Sequence, residues 1–132
     1  MSERFLRARL RYRYDVAAES ATGAEYARCM RNVTMFREMP PDQRETVRQA
    51  QLLAEAARFD LERVVVDDLP PGEGSVARKR VRGVIHAVGP VDGRLVESRR
   101  GQTLELHLVD GGWRVAVWTP DVGDPRIETH AP

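Results

Sequence analysis

Residues 103–118 constrain the fold more than any other stretch, because their pattern predicts a β-hairpin. Leucine occupies every second position from 104 to 108, which gives the first strand one apolar face. Asp110 and Gly111 follow, and an Asp-Gly pair supplies the positive φ angles that a tight hairpin turn needs. Pro120 ends the return strand, since proline has no N–H to donate to a neighbouring strand. The C-terminal half of the chain is therefore expected to form an antiparallel sheet.

Residues 6–16 alternate strictly between apolar and charged side chains, which predicts a further strand at the start of the chain. In a helix, the same apolar residues would be scattered around the whole cylinder. The residues that would share the apolar face are Leu6, Ala8, Leu10, Tyr12, Tyr14 and Val16.

Two helices are predicted to follow this strand. Thr22 and Glu25 have the spacing of a capping box, and apolar residues recur behind them at helical intervals, so the first helix spans 23–38. Pro40 and Pro41 separate it from a second, alanine-rich helix over 42–58, because a residue before proline avoids the α region. We expect both helices to pack on one face of the sheet.

Two more strands precede the hairpin, and the first strand of the hairpin begins at residue 94. One spans 61–68 around three consecutive valines, and a long strand spans 76–88. Residues 94–109 are too many for a flat strand, so Gly101 is predicted to form a bulge or bend. Residues 120–132 contain three prolines and show no periodicity, which indicates an irregular tail.

The predicted fold is therefore an α+β, cystatin-like roll. Its order is strand, helix, helix and then four strands, and its curved antiparallel sheet of about five strands packs on the two helices. A chain of 132 residues is large enough for one core, so residues 1–119 are expected to form a single domain.

Composition limits the functional classes that fit the chain. The 42% hydrophobic and 31% charged content is typical of a soluble globular protein, and no apolar run reaches membrane-spanning length. The start of the sequence lacks the apolar stretch of a secretory signal, and Cys29 has no second cysteine to pair with. We therefore expect a cytoplasmic location and no membrane association.

Residues 43–119 resemble a known group of folds. Their sequence suggests an alanine-rich helix, a valine strand, a long strand and a bent strand, and it closes with Leu-x-Leu-x-Leu-Val-Asp-Gly-Gly-Trp-Arg-Val. This layout is similar to the cystatin-like folds, and especially to the nuclear transport factor 2-like superfamily, which includes ketosteroid isomerases and polyketide cyclases. That superfamily usually opens with helices, whereas a strand is expected here.

The resemblance implies a pocket between the helices and the concave sheet. Tyr14, Tyr26 and His86 are the candidate ligand-binding residues, and Glu97 and His107 are the other groups available for acid–base work. Tyr14 could equally be a core tyrosine whose hydroxyl bonds to backbone. No carboxylate matches the ketosteroid isomerase base, so the catalytic residues are unknown.

No metal ion or cofactor is predicted. The three histidines are far apart in the sequence, and neither His-x-His nor Cys-x-x-Cys spacing occurs. Cys29 lies on the apolar stripe of the first predicted helix, which favours a small buried hydrophobe. Gly72 and Gly74 lack the lysine and helix of a phosphate-binding loop.

The arginines of the first predicted strand form a comb that could contact a nucleic-acid backbone, with neighbours about 6.8 Å apart on an extended strand. They are Arg7, Arg9, Arg11 and Arg13, and the sequence repeats the pattern at Arg78, Arg80 and Arg82. Charged outer faces are also ordinary in half-exposed sheets, where Glu97 and Glu105 could neutralise arginines across strands. The formal net charge of +1 argues against nucleic acid.

Three functional hypotheses follow. The favoured one is a small-molecule-binding or protein-interaction domain that works through the roll cavity or the open sheet face. A homodimer is included in it, because one of the two tryptophans of the hairpin could be exposed on the sheet. An isomerase, cyclase-like or hotdog-type enzyme is the second hypothesis, so enzymatic activity stays open. Nucleic-acid binding through the comb is the third.

Overall fold

The computed structural model describes residues 2–122 and 126–130, and within them four α-helices precede five β-strands. The helices are α1 (Ser2–Leu10), α2 (Tyr14–Glu19), α3 (Gly23–Glu38) and α4 (Pro41–Ala56). The strands are β1 (Arg58–Leu69), β2 (Arg78–Val91), β3 (Arg94–Val109), β4 (Gly112–Pro120) and β5 (Arg126–His130). None of the helices described here is long and apolar enough to cross a membrane.

The strands form one antiparallel sheet in which β1, β2 and β3 are neighbours in that order. Two strands pair with the edge of β3 that faces away from β2: β4 pairs with the C-terminal half of β3, and β5 pairs with its N-terminal part. The predicted α+β class, with helices against an open antiparallel sheet of about five strands, is confirmed. The hairpin is confirmed too: Trp113 lies opposite Leu108, and Asp110 and Gly111 have positive φ angles.

The predicted strand over residues 6–16 is wrong, because this segment forms α1, a turn and α2. The strand would place Arg9 on its charged outer face and Tyr12 on its apolar inner face, but the Arg9 side chain is only 13% exposed and Tyr12 is exposed. Tyr12 breaks the helix with a φ angle of 59°, and the N–H of Arg13 donates to the Ala8 carbonyl at 2.8 Å. The chain therefore begins with helices, and the fifth strand of the sheet comes from a different part of the sequence.

That fifth strand comes from the segment predicted to be an irregular tail. Ile127 lies opposite Ser98, and β5 runs antiparallel to β3. The tail prediction is therefore wrong over 126–130, while residues 123–125, 131 and 132 lie outside the described residues. The physical reason is that β3 is longer than β4, and the rest of its edge has backbone N–H and C=O groups that need partners.

Gly101 does not form the predicted bulge. The pairing of β3 with β2 is continuous past it, and the irregularity in β3 lies between Glu105 and Leu106, on the β4 side. A Cβ atom at position 101 would lie 2.0 Å from Oδ2 of Asp121, whose N–H donates to the Gly101 carbonyl at 2.9 Å. Any side chain at this position would have to displace the Asp121 carboxylate from its place over β3.

The core lies between the first three helices and one face of the sheet. Phe5, Cys29, Leu104 and Val115 are its largest completely buried side chains. Two backbone hydrogen bonds join the connection between α2 and α3 to β4. The N–H of Val115 donates to the Ser20 carbonyl, and the N–H of Thr22 donates to the Val115 carbonyl, each at 2.8 Å. These two bonds fix the helices against the sheet.

Helix α4 is positioned by a contact of small residues at its end. A Cβ atom on Gly89 of β2 would lie 2.9 Å from Cβ and 3.1 Å from Cα of Ala57, the residue that ends α4. Only glycine leaves room for this approach, so the sequence pair Ala57 and Gly89 sets how close α4 lies to the sheet.

We predict that Gly89→Ala lowers the free energy of unfolding by about 1–3 kcal/mol, the usual cost of adding a methyl group to a packed contact. The double variant Gly89→Ala/Ala57→Gly should recover part of this loss, because the two methyl groups no longer meet. Urea unfolding of both variants and of Ala57→Gly alone measures the coupling. Equal stability of Gly89→Ala and the unmodified protein would contradict the packing described here.

Candidate functional site

The interior offers little space for a ligand. Side chains fill the region between α1–α3 and the sheet, where Phe5, Leu104 and Val115 are fully buried. A cavity beside Leu6 and Phe59 has a volume of about 10 Å³, which is room for one water molecule. The space between the helices and the sheet is instead found at α4, where an open cleft of about 330 Å³ is lined by Leu53 and Ala54 of α4 and by Ala87 and Val96 of the sheet. Tyr14, Tyr26 and His86 do not line this cleft.

The three candidate ligand-binding residues are not brought together. Tyr14 is buried in α2 and contacts the Phe36 ring edge-on, with 5.2 Å between the ring centres. Tyr26 is 47% exposed on α3. His86 lies on the opposite face of the sheet, because its neighbours Ile85 and Ala87 face the helices.

Instead, the core contains a polar cluster centred on Arg9. Its guanidinium lies over the Tyr14 ring at 4.6 Å and over the Trp118 ring at 5.0 Å. Its Nε is 3.9 Å from Oε1 of Glu25, and Trp118 donates from Nε1 to Oε1 of Gln102 at 2.7 Å. Aromatic faces attract cations, so two rings and one carboxylate compensate a guanidinium that is largely removed from water.

Glu25 is the buried carboxylate of this cluster, with only 3% of the residue exposed. The capping-box spacing correctly placed the start of α3 after Thr22, but no side-chain cap forms there and Glu25 points inward. Burial raises the pKa of Glu25, while the charges of Arg28 and Arg9 act in the opposite direction. The sequence analysis missed Glu25 as a buried carboxylate because the capping-box spacing assigned it to the exposed start of the helix.

Cys29 lies one turn after Glu25 and is buried, as predicted. Burial raises the pKa of the Cys29 thiol, and the negative charge of Glu25 raises it further. The protonated thiol is a poor nucleophile, so this cysteine fits a packing role. Among the side chains described, no group of three or more His, Cys, Asp or Glu residues could hold a metal ion.

The face of the sheet away from the helices contains a network around His86. Its Nδ1 lies 3.2 Å from Glu62 on β1, and its Nε2 lies 3.4 Å from Glu97 on β3. Arg99 closes the network with contacts of 2.6 Å to Glu97 and 3.4 Å to Glu62. The His86 side chain is 17% exposed. Four polar side chains thus bridge three neighbouring strands.

The network shifts the pKa of Glu97. The hydrogen bond from Arg99 lowers the pKa of Glu97, and the contact with His86 adds to the effect. Glu97 therefore stays ionised at pH values where an isolated glutamate would be protonated. The expectation of carboxylates that neutralise the arginine runs across strands holds for Glu105, which contacts Arg78 of β2 at 3.0 Å. It does not hold for Glu97, whose arginine partner is Arg99 of the same strand.

The second run of arginines does project from one face of β2, as its alternation predicted, but it is paired with carboxylates. Arg80 and Arg82 lie 3.5 and 3.0 Å from Oδ2 of Asp67 on β1. Arg78 shares Glu105 with His107, whose Nε2 is 2.8 Å from that carboxylate. This region fits a solvated charged face better than an unpaired basic patch.

The first run of arginines does not form a comb, because it belongs to α1 and the turn after it. Arg9 points into the core, while Arg7, Arg11 and Arg13 border a cleft on the helical side. The regular spacing expected for a nucleic-acid backbone is therefore lost, and that geometric prediction is wrong.

Both tryptophans of the hairpin face the helices rather than the open face. Trp118 pairs with Leu104 and packs against the core, and Trp113 pairs with Leu108 beneath Lys79, whose Nζ is 5.0 Å from its ring centre. The idea that one tryptophan supplies a dimer contact on the open face is not supported by this arrangement.

We predict that the stability of the unmodified protein relative to a Glu25→Gln variant rises as the pH falls from neutral towards 4.5. The raised pKa of Glu25 means that the folded state holds this proton more tightly than the unfolded state, whose pKa is near 4.5. Urea unfolding of both proteins over this pH range measures the difference.

Glu45 provides a matched control of opposite sign. It is exposed on α4, and hydrogen bonds from Arg48 and Gln49 lower its pKa to about 2. The stability relative to Glu45→Gln should therefore change little above pH 4.5 and fall below it. A difference for Glu25→Gln that is flat, or that decreases as the pH is lowered from neutral to 4.5, would show that Glu25 is not a destabilised buried carboxylate.

Comparison with known proteins does not assign the chain to a family. No protein-family model matches the sequence, and no curated protein or solved structure matches it. The function must therefore be argued from the surfaces themselves.

Proposed function

We propose that this protein is an interaction domain that binds through the open face of its sheet, with a second copy of the same chain as the partner. The charge layout of that face is the observation that carries the proposal. Antiparallel sheets commonly have one packed face and one that meets solvent or another molecule.

The two middle rows of the open face consist of uncharged residues with one arginine and one glutamate among them. Arg82 lies between Val65 and Thr103 in one row, and Val84 lies between Glu62 and Gly101 in the other. Val65 on β1 and Val117 on β4 are both nearly half exposed. Thr103 and Gly101 of β3, the second of which has no side chain, belong to the same two rows, which we call the central band. Interfaces typically have a desolvated centre surrounded by a polar rim.

Opposite charges are in excess at the two ends of the face. The end near the start of β2 has four arginines against two carboxylates, as assigned by strand register: Arg78, Arg80, Arg82, Arg114, Asp67 and Glu105. The other end has four carboxylates against three arginines: Asp60, Glu62, Glu97, Glu128, Arg58, Arg99 and Arg126. The first end thus has an excess of two positive charges, and the second has an excess of one negative charge.

A two-fold axis through the central band places each end of one copy against the oppositely charged end of the other copy. The basic end of one copy then lies on the acidic end of its partner, and the valines of both copies meet at the axis. Two-fold dimers use the same patch on both subunits, so a patch with oppositely charged ends is complementary to itself.

The order of elements supports the resemblance to the nuclear transport factor 2-like superfamily, because four helices precede the sheet and that superfamily usually opens with helices. The enzyme hypothesis has less support. His86 could exchange protons with Glu62 or Glu97, but it lies on an open face, whereas catalytic groups usually line a cleft that excludes water.

We predict that two charge-reversed variants will each fail to dimerise and will restore dimers when mixed. Arg80→Glu/Arg82→Glu makes both ends of the face negative, and Glu62→Lys/Glu128→Lys makes both ends positive. Like charges across an interface cost several kcal/mol, so each variant alone should dissociate about a hundredfold more readily. Sedimentation velocity over a range of concentrations measures the dimer fraction.

Arg44→Glu/Arg48→Glu is the matched control, because it makes the same change of charge on exposed positions of α4. It should leave the dimer unchanged. Circular dichroism checks that every variant is folded. A monomer at millimolar concentration of the unmodified protein, or no heterodimer in the mixture, would overturn the proposal.

A further inference from the structure

A concave cleft lies on the helical side of the molecule, between α1, the start of α2 and the end of α4. Its volume is about 630 Å³, within the range of pockets that hold small ligands. Its lining residues are Glu3, Arg4, Arg7, Ala8, Arg11, Arg13, Val16 and Glu55. Four of these eight residues are arginines, and this cleft is distinct from the open sheet face.

Helical periodicity, rather than strand alternation, gathers these arginines. Arg4, Arg7 and Arg11 are three and four residues apart, so they follow one stripe along α1 and the turn after it. The N–H of Arg11 donates to the Arg7 carbonyl at 3.2 Å, which keeps Arg11 in line with the stripe. Arg13 lies across the cleft at the start of α2.

The four guanidinium groups differ in how far their charges are already neutralised. Arg4 contacts Glu19 at 2.8 Å, and Arg13 donates to Glu55, so both have close carboxylate partners. Arg7 is 41% exposed, and the carboxylate it contacts, that of Asp60, is 3.9 Å away. Arg7 therefore has only a long-range ion pair and keeps donors directed at solvent.

Arg11 is also without a close carboxylate among the described residues. Its Nη2 donates to the Ala57 carbonyl at 3.4 Å, and its guanidinium lies 5.6 Å from the centre of the Phe59 ring. Its Nε is buried and has no hydrogen-bond partner within the described parts of the chain. The cleft thus has two under-neutralised guanidiniums, four residues apart and held by helix and ring contacts.

We propose that this cleft binds a small molecule that carries a diphosphate group, with Arg7 and Arg11 each binding one phosphoryl group. The planar guanidinium fork donates two parallel hydrogen bonds to phosphate oxygens, and side chains four residues apart on a helix are neighbours. Ala8 and Val16 provide an apolar wall for the rest of the molecule.

The concave shape selects a small molecule rather than a nucleic-acid strand. A continuous backbone needs cations along an extended line, whereas Arg9 is buried in the core and interrupts any such line. Glu3 and Glu55 also line the cleft, and Glu55 is neutralised by Arg13, so the lining as a whole has more positive than negative charge but disfavours a long polyanion.

The experiment is a titration of the full chain with pyrophosphate, followed by calorimetry and by NMR of the arginine Nε–H groups. We expect saturable binding and shifts confined to cleft arginines. Arg7→Gln should weaken binding about tenfold or more, since hydrogen bonds to charged groups are the strong ones. Arg31→Gln, an exposed arginine of α3, is the matched control and should bind as the unmodified protein does.

Two comparison ligands sharpen the test. Orthophosphate and succinate should both bind more weakly than pyrophosphate, because neither presents two adjacent phosphoryl groups. Equal binding of either, equal losses in Arg7→Gln and Arg31→Gln, or no binding of millimolar pyrophosphate would overturn the proposal. Arg7 is exposed, so its variant is expected to fold, and the outcome is independent of whether the open face forms dimers.

Discussion

The arrangement of the helical half depends on the partly buried guanidinium of Arg9. It belongs to α1, yet it contacts Tyr14 of α2, Glu25 of α3 and Trp118 of β4. One side chain therefore links three helices to the sheet. Burying a charge costs several kcal/mol unless it is compensated, so this arrangement persists only if all of its partners are in place.

This interaction also explains why the first segment was mispredicted. The strand prediction assumed that every arginine must face solvent, which put Arg9 on an outer face. Two aromatic rings and a buried carboxylate remove that requirement, because they compensate the charge of Arg9 inside the core. Such compensation involves residues far apart in the sequence, so a local pattern could not reveal it.

The features that the sequence predicted well are those fixed by local chemistry. The hairpin follows from its Asp-Gly turn, and the boundaries of α3 follow from Thr22 and the prolines after Met39. The functional surfaces depend instead on which strand neighbours which. His86 was recognised as a candidate, but its partners Glu62 and Glu97 meet it only through the register of three strands.

The two proposed surfaces lie on opposite sides of the sheet, and the edge strand β1 connects them. Asp60 shares the register of the open face with His86, yet it also contacts Arg7 of the cleft. The next residue on that face, Glu62, belongs to the His86 network. The acidic end of one surface and the basic lining of the other are therefore neighbours through a single strand, so regions of opposite excess charge lie side by side in a chain whose net charge is +1. Net charge describes the attraction at long range, whereas recognition at contact distance depends on how individual charges are paired.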